Sequence, residues 1–189
     1  MKRVSENPPA RFPARTIHEA EGVWWIAKVM PRQEKALAFD CIGRNIEYYL
    51  PMFTKVTRRR DNNKPRKSIL PLFPGYLSFC APRPGEERQI WTTGRIVNLV
   101  EVRHQKHFKK ELEQIYFTLD LGMPLEPFTD VCRLETGMVV QVQSGPLKGI
   151  TGSITRIQGA HKLILSVEGM GRAALTIDAS IVKPIEDKC

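Results

Sequence analysis

Residues 137–154 read GMVVQVQSGPLKGITGSI, two short apolar segments on either side of a glycine- and proline-containing turn. Gly145 and Pro146 suit a tight turn, because glycine adopts left-handed dihedrals and proline fixes φ. Gly149 and Gly152 allow backbone conformations or close approaches that a larger residue would prevent. The stretch therefore predicts a strand, a turn and a second strand.

The apolar residues of the same stretch alternate with polar ones. Val140 and Val142 precede the turn, and Ile150 and Ile154 follow it, so each arm presents one apolar face. Short β-prone runs separated by glycines continue downstream. Residues 137–189 are predicted to form a small five-stranded β-barrel, which closes its own sheet edges.

The chain upstream alternates strands with helices. VWWIAKV at 23–29 is an apolar, β-prone run that ends before a proline, and it predicts a strand. An amphipathic helix is expected over 32–44. A strand over 46–55 and an apolar β run over 69–80 then flank a polar, basic loop at 57–68, which is expected to join them as the two arms of an extended β-ribbon or sheet pair. A short helix, a strand and a second amphipathic helix follow, at 83–91, 96–102 and 106–119.

These elements predict an α+β fold with an antiparallel sheet flanked by helices over 22–119. Residues 1–21 are rich in proline, arginine and glutamate and are expected to be a flexible N-terminal arm. Residues 120–136 have no clear periodicity and are expected to be a linker to the barrel.

Composition limits the classes of partner and the compartment. The chain has 29 Lys+Arg against 20 Asp+Glu, a formal charge of +9, which favours a polyanion or an acidic protein surface. Four cysteines without a C-x-x-C pair suggest neither a zinc knuckle nor a disulfide framework, so a reducing cytoplasm is expected. No signal peptide or membrane-spanning run is recognised, and no membrane association is predicted.

Three motifs together resemble one protein family. Residues 137–154 resemble the KOW motif, carried by Gly137, Val140, Val142, Gly145, Pro146, Gly149 and Gly152. Residues 24–36 look like the opening of the NusG N-terminal domain, and Phe73-Pro74-Gly75-Tyr76 matches its Phe-Pro-Gly-Tyr signature. The motifs follow the family's order from about residue 22 to residue 185, and the chain is identified as a member of the NusG family.

The resemblance implies a monomeric transcription elongation or antitermination factor without enzymatic activity, cofactor or metal. In this family the N-terminal domain binds the clamp helices of the largest RNA polymerase subunit through an apolar, aromatic surface. The candidate contact residues are Trp25, Tyr48, Tyr49, Phe53, Phe73 and Tyr76. Because a strand buries alternate side chains, about half of these are expected to be core instead.

The basic segment is the candidate nucleic-acid contact. The resemblance implies that it lies near the non-template DNA strand or the upstream duplex, where clustered cations raise affinity by releasing counterions. A solvated surface loop is the alternative. The residues concerned are Arg58, Arg59, Arg60, Lys64, Arg66 and Lys67.

The resemblance also implies a partner for the KOW domain, either a ribosomal protein of the small subunit or the termination factor Rho. Residues 92–100 read TTGRIVNLV, which is more similar to specialised paralogues such as RfaH than to the general factor. The RfaH barrel also exists as a helical hairpin. The dense β-branched content here predicts that this domain stays β.

Two other classes remain open. A ribosome-associated KOW protein that binds rRNA would share the barrel and the basic charge, but would not need the aromatic Phe-Pro-Gly-Tyr strand. A small basic enzyme would need a cleft with perturbed titratable groups. No Ser/His/Asp or Cys/His arrangement with a recognisable local motif supports the enzyme.

Overall fold

The computed structural model describes residues 7–60, 63–128, 138–157 and 159–185. Its chain contacts divide it into two units, Met1–Lys109 and Lys110–Cys189. The division falls inside the second α-helix, ten residues before the domain boundary expected at 119. The architecture is α+β with antiparallel sheets.

The first unit is built on a five-stranded antiparallel sheet and a separate two-stranded hairpin. The sheet has the order β1-β3-β6-β2-β7, and the hairpin pairs β4 with β5. The strands are β1 (Arg11–Phe12), β2 (Val23–Val29), β3 (Glu47–Tyr49), β4 (Met52–Arg58), β5 (Pro65–Pro71), β6 (Tyr76–Ala81) and β7 (Ile96–Glu101).

Two α-helices and two 3₁₀-helices accompany these strands. The helices are α1 (Glu34–Gly43), α2 (Gln105–Asp120) and the 3₁₀-helices Ile17–Glu19 and Glu86–Thr93. The first helix begins two residues later than expected, because Arg32 has φ 64° and is outside helical geometry. It buries Leu37, Ala38 and Cys41 against the sheet.

Strand β2 lies inside the sheet, between β6 and β7, and has buried residues on both of its faces. Trp24 is buried and its ring lies 6.2 Å from that of Phe108 in α2. Ala27 and Val29 belong to the core cluster on the α1 side, and Trp25 packs against that cluster. Burial on two faces explains why the strand reads as a continuous apolar run.

The N-terminal arm is ordered over residues 7–20, so the expectation of a flexible 1–21 segment is wrong there. Arg11 and Phe12 pair with Tyr49 and Tyr48, which adds a strand to the β3 edge of the sheet. Ile17 is buried at 3% exposure. The segment contains an apolar residue and the sheet offers a free edge. The proline-rich composition of the segment nevertheless gave no sign of a paired strand.

The second unit is a six-stranded antiparallel sheet with the order β13-β9-β10-β11-β12-β8. Its strands are β8 (Glu126–Pro127), β9 (Val139–Val142), β10 (Thr151–Ile157), β11 (Ala160–Val167), β12 (Gly171–Thr176) and β13 (Val182–Pro184), with a 3₁₀-helix at Ala179–Ile181. The described residues of the motif region adopt strands, as the β-branched content predicts.

One strand of this sheet comes from the predicted linker. Glu126 and Pro127 pair with Ala174 and Ala173 of β12, so residues 126–127 belong to the second sheet and not to a free connection. Residues 129–137 lie outside the described residues. The pairings leave β13 and β8 as end strands, and closure into a barrel stays a prediction.

Candidate functional site

The basic segment forms the outer end of an antiparallel hairpin. Strands β4 and β5 pair from Met52 opposite Pro71 to Arg58 opposite Pro65. The loop expected over 57–68 is shorter than expected, because residues 57–58 and 65–68 belong to the two strands. Val56 and Thr57 favour extended structure, and the sequence reasoning gave the charge more weight than these β-prone residues.

The six basic candidates are exposed on this hairpin. Lys67 lies opposite Val56, and Arg66 lies opposite Thr57. Because neighbouring residues of a strand point to opposite faces, the hairpin carries cations on both faces. At the tip, Arg59 N donates a hydrogen bond to Lys64 O at 3.0 Å, and Asn63 N donates to Arg59 O at 3.0 Å. The cations thus cluster at the outer end of a paired ribbon.

The root of the hairpin is fixed to the rest of the first unit. Leu72 N donates a hydrogen bond to Pro51 O at 2.8 Å, which closes the ribbon at its base. Lys35 of α1 donates from Nζ to Ile69 O and to Asn7 Oδ1, each at 2.6 Å. Burial lowers the pKa of Lys35. One ammonium group therefore ties the helix, the hairpin and the N-terminal arm together.

Three of the six aromatic candidates are core residues. Tyr48 and Tyr49 are each 1% exposed and Phe73 is 3% exposed. Strand β3 lies between β1 and β6, so the added N-terminal strand covers its outer edge. Tyr48 stacks on Phe12 with centroids 6.5 Å apart and donates a hydrogen bond to Pro9 O at 2.8 Å. Because these three residues are buried, the prediction that they belong to a contact surface is wrong.

The other three candidates are partly exposed, but they do not form one surface. Tyr76 lies opposite Lys28 in the sheet, whereas Trp25 lies opposite Glu101. Residues 25 and 28 differ by an odd number of positions along one strand, so Trp25 and Tyr76 point to opposite faces. Phe53 is on the hairpin. The spacing of these three residues along the sequence does not reveal that they lie on different surfaces.

The face that carries Tyr76 has further exposed apolar surface. Lys28 pairs with Asn98 and Ile26 pairs with Val100 in the edge strand β7, so these side chains share the face of Tyr76. Val100 is 48% exposed. The sequence reasoning missed Val100, because an alternating edge strand does not reveal which of its faces is covered.

The Phe-Pro-Gly-Tyr signature is the turn between β5 and β6. Gly75 has φ 83°, in the left-handed region that glycine adopts without strain. Its N–H donates to Glu34 Oε1 at 2.8 Å, and its carbonyl accepts from Val29 N at 2.8 Å. Glu34 is only 6% exposed. This buried carboxylate was missed, although an acidic residue at the start of a helix is a common signal.

A second polar link joins α1 to the start of β7. Arg95 donates from Nε to Asp40 Oδ2 at 2.7 Å and from Nη1 to Gln33 Oε1 at 2.5 Å. Met30 N donates to Arg95 O at 2.9 Å. These bonds fix the β2–α1 connection, which is beside the signature turn.

In the second unit, the described motif residues divide between core and turn. Val140 and Val142 are each 1% exposed and form part of the core. Gly145 and Gly149 have φ 81° and 92°, as their turn requires. A Cβ on Gly152 would lie 2.5 Å from Ile164 O, so that glycine is needed for a close strand approach. Pro146 is exposed in the turn, and Gly137 lies outside the described residues.

Exposed apolar side chains also occur in the second unit, at one end of its sheet. Met138 is 59% exposed, Val139 45% and Ile185 39%. Ile185 N donates a hydrogen bond to Val139 O at 2.9 Å, which places these two residues side by side. They form a small apolar patch of a kind that partner proteins cover.

The described ranges contain neither a metal-binding cluster nor a helix suited to span a membrane. Residues 7–60, 63–128, 138–157 and 159–185 hold no group of three or more His, Cys, Asp or Glu side chains placed to bind a metal. None of the helices described in these ranges combines the length and hydropathy needed to cross a bilayer.

The geometry agrees with a sequence match over the first unit. Residues 22–115 match the family model described as transcription termination factor NusG. Residues 22–115 are a NusG-family domain. The match begins at Gly22, after the N-terminal arm, so β1 is an addition to the matched NusG-family region.

One solved NusG structure resembles the chain in fold. A Thermotoga maritima NusG structure, described by its domain interaction, matches with a TM-score of 0.50 and 19% identity. That match covers 87% of this chain and 97% of the other. An MjSpt4:Spt5 complex matches with a TM-score of 0.28 and 17% identity, over 86% of this chain and 96% of the other. No curated protein matches the chain.

Proposed function

We propose that the chain is a transcription elongation and antitermination factor that binds the clamp helices of the largest RNA polymerase subunit through its NusG-family domain. The match over residues 22–115 is the observation that carries this proposal. The contact surface is the sheet face that bears Tyr76 and Val100. The factor suppresses pausing or termination by bridging the polymerase cleft.

Tyr76 is the central contact in this proposal. Gly75, immediately before it, is held by the buried Glu34 carboxylate and by Val29 N, so the position of Tyr76 is fixed before binding. A fixed aromatic side chain loses little conformational entropy on association, which is why such residues dominate interface energies. Phe53 offers a second aromatic contact on the hairpin.

The basic hairpin is assigned to the non-template strand or to the upstream DNA. Seven residues per strand extend about 23 Å at 3.3 Å per residue, long enough to reach beyond the domain surface. Six exposed cations on both faces suit a phosphate backbone rather than a base-specific contact.

The second unit recruits a partner, a ribosomal protein of the small subunit or Rho, through its apolar patch. Met138, Val139 and Ile185 supply exposed apolar area of the kind that a partner covers. The factor acts as a monomer in the cytoplasm.

The deciding experiment measures binding of the full chain to core RNA polymerase by pull-down and by fluorescence anisotropy. Tyr76→Ser is compared with Phe117→Ser, which alters an aromatic residue that is 45% exposed on α2. Loss of binding in the first variant and not in the second, with both folded by circular dichroism, supports the proposal. A wild-type chain that does not bind polymerase but co-sediments with ribosomes supports the rRNA-binding alternative.

A further inference from the structure

A groove of about 330 Å³ lies on the face of the first sheet opposite Tyr76. Its apolar walls are the indole of Trp25 and the side chains of Val23, Pro82 and Pro84. Glu87, Glu101 and Arg83 are the charged lining residues that the structure describes. The volume is at the small end for ligand sites and suits one long side chain.

The floor of the groove is rigid. Trp25 lies between Phe79 of β6 and Glu101 of β7 in the sheet register, and Phe79 is 1% exposed. Gly22 approaches Ala81 so closely that a Cβ there would lie 2.4 Å from Ala81 O. A preformed wall of this kind reduces the entropy lost when a ligand binds.

Two carboxylates line the groove together with the indole. Glu101 is directly across the strand pair from Trp25, and cross-strand neighbours have Cβ atoms about 5 Å apart. The Glu87 side chain is 17% exposed, and its Oε2 accepts a hydrogen bond from Gly85 N at 2.7 Å. The Arg88 side chain, which is 85% exposed, places its Nε 3.9 Å from Oε1 of Glu87.

The charge of the groove is opposite in sign to that of the protein. Two carboxylates and Arg83 give the lining a net charge of −1, whereas the chain has a formal charge of +9. Carboxylates disfavour phosphate groups, so the groove is unsuited to nucleic acid. An aromatic face beside carboxylates is the arrangement that binds a guanidinium or ammonium group.

We infer that this groove binds an arginine or lysine side chain presented by an extended segment of a partner protein. The alkyl stem lies against Val23, Pro82 and Pro84, because long cationic side chains bury their stems on apolar surface. The cationic group lies over Trp25 and pairs with Glu101. This contact is independent of the polymerase surface, since Trp25 and Tyr76 point to opposite faces.

The test is a titration of the ¹⁵N-labelled full chain with an acetylated, amidated Gly-Pro-Arg-Pro-Gly peptide. The readout is the indole N–H signal of Trp25, assigned with a Trp25→Phe variant. Gly-Pro-Gln-Pro-Gly is the neutral control peptide. The arginine peptide is expected to shift the Trp25 signal in a saturable manner, while the glutamine peptide leaves it unchanged.

Glu101→Gln and Glu126→Gln are the matched charge variants, because Glu126 is an exposed residue of β8 in the other unit. Glu101→Gln should weaken the arginine peptide by roughly three- to fivefold, the size of an exposed ion pair in water. Glu126→Gln should bind like wild type. Equal shifts with both peptides, no shift with either, or undiminished binding to Glu101→Gln would overturn the inference.

Discussion

The side-chain carboxylate of Glu34 accepts a hydrogen bond from the backbone N–H of Gly75 at 2.8 Å. The bond joins the first turn of α1 to the turn before β6, and Glu34 is 6% exposed. A partly buried charge-assisted bond of this kind is stronger than a neutral one. It couples the helix to the position of Tyr76, and therefore to the proposed polymerase surface.

Glu34→Ala should lower the free energy of unfolding by about 1–3 kcal/mol, because it leaves the partly buried Gly75 N–H without its acceptor. Urea denaturation followed by circular dichroism measures this loss. Glu34→Gln retains an acceptor oxygen, so its loss should be smaller. Equal stability of Glu34→Ala and wild type would show that water replaces the carboxylate without cost.

Gly152→Ala should destabilise the second unit through a steric clash. The new Cβ would lie 2.5 Å from Ile164 O and 3.1 Å from Leu163 Cδ1. Forcing atoms into a packed site costs about 1–3 kcal/mol. Thermal unfolding of the full chain measures the change.

Gly145→Ala is the comparison variant for this test. No heavy atom lies within 4 Å of its added Cβ, but φ is +81°. It should cost about 1–2 kcal/mol from the left-handed conformation alone. A Gly152→Ala chain as stable as wild type would contradict the close strand approach.

Ile17→Ala tests whether the N-terminal arm is part of the fold. Ile17 is 3% exposed, and truncating a buried isoleucine typically costs about 2–5 kcal/mol. His18→Ala alters the exposed neighbouring residue and should change stability by less than about 0.5 kcal/mol. Urea midpoints measure both variants. Equal midpoints would mean that the arm does not contribute to the stability of the first unit.

The buried thiol of Cys41 should resist alkylation in the native state. Burial raises its pKa to about 12, against an ordinary value of 9.0. Iodoacetamide at pH 8.5 followed by peptide mass spectrometry should find Cys41 unmodified in the native chain and modified in urea, since the thiolate is the nucleophile. Rapid native labelling of Cys41 would contradict its burial.

The same shift makes stability depend on pH. Between pH 9 and 12 the unfolded thiol ionises while the native thiol stays protonated. The native-state pKa is raised, so the contribution is present below pH 9 and is lost as the pH rises towards 12. The stability of wild type relative to Cys41→Ala should fall across that range in urea titrations.

The basic hairpin should make DNA binding depend strongly on salt. Replacing Arg58, Arg66 and Lys67 by glutamine should weaken binding to duplex DNA and reduce the slope of log K against log salt by about 2–3. Fluorescence anisotropy at several salt concentrations measures both effects. A matched triple variant, Lys148, Arg172 and Lys183 to glutamine, removes three cations from the second unit. Equal slopes for the two triple variants would exclude a specific role for the hairpin.

Local sequence features were sufficient to predict most strands and helices and to locate the basic segment. The predicted bounds of strand β2 agree with the structure, because a β-branched and aromatic run before a proline favours an extended strand. The hairpin was predicted as two β arms joined by a basic loop, but its strands extend further into that loop than expected, since the added residues depend on each other for hydrogen bonds. The N-terminal strand was missed for the same reason, as it is paired only when β3 offers an edge.

The sequence by itself determined the NusG-family identity of residues 22–115, the turn glycines and the excess of positive charge, because these depend on residue type and local spacing. Only the tertiary structure decided which aromatic side chains are available. Tyr48, Tyr49 and Phe73 are buried, whereas Trp25 and Tyr76 are partly exposed on opposite faces. Exposure depends on which neighbour covers each face of a strand, and those neighbours are distant in sequence.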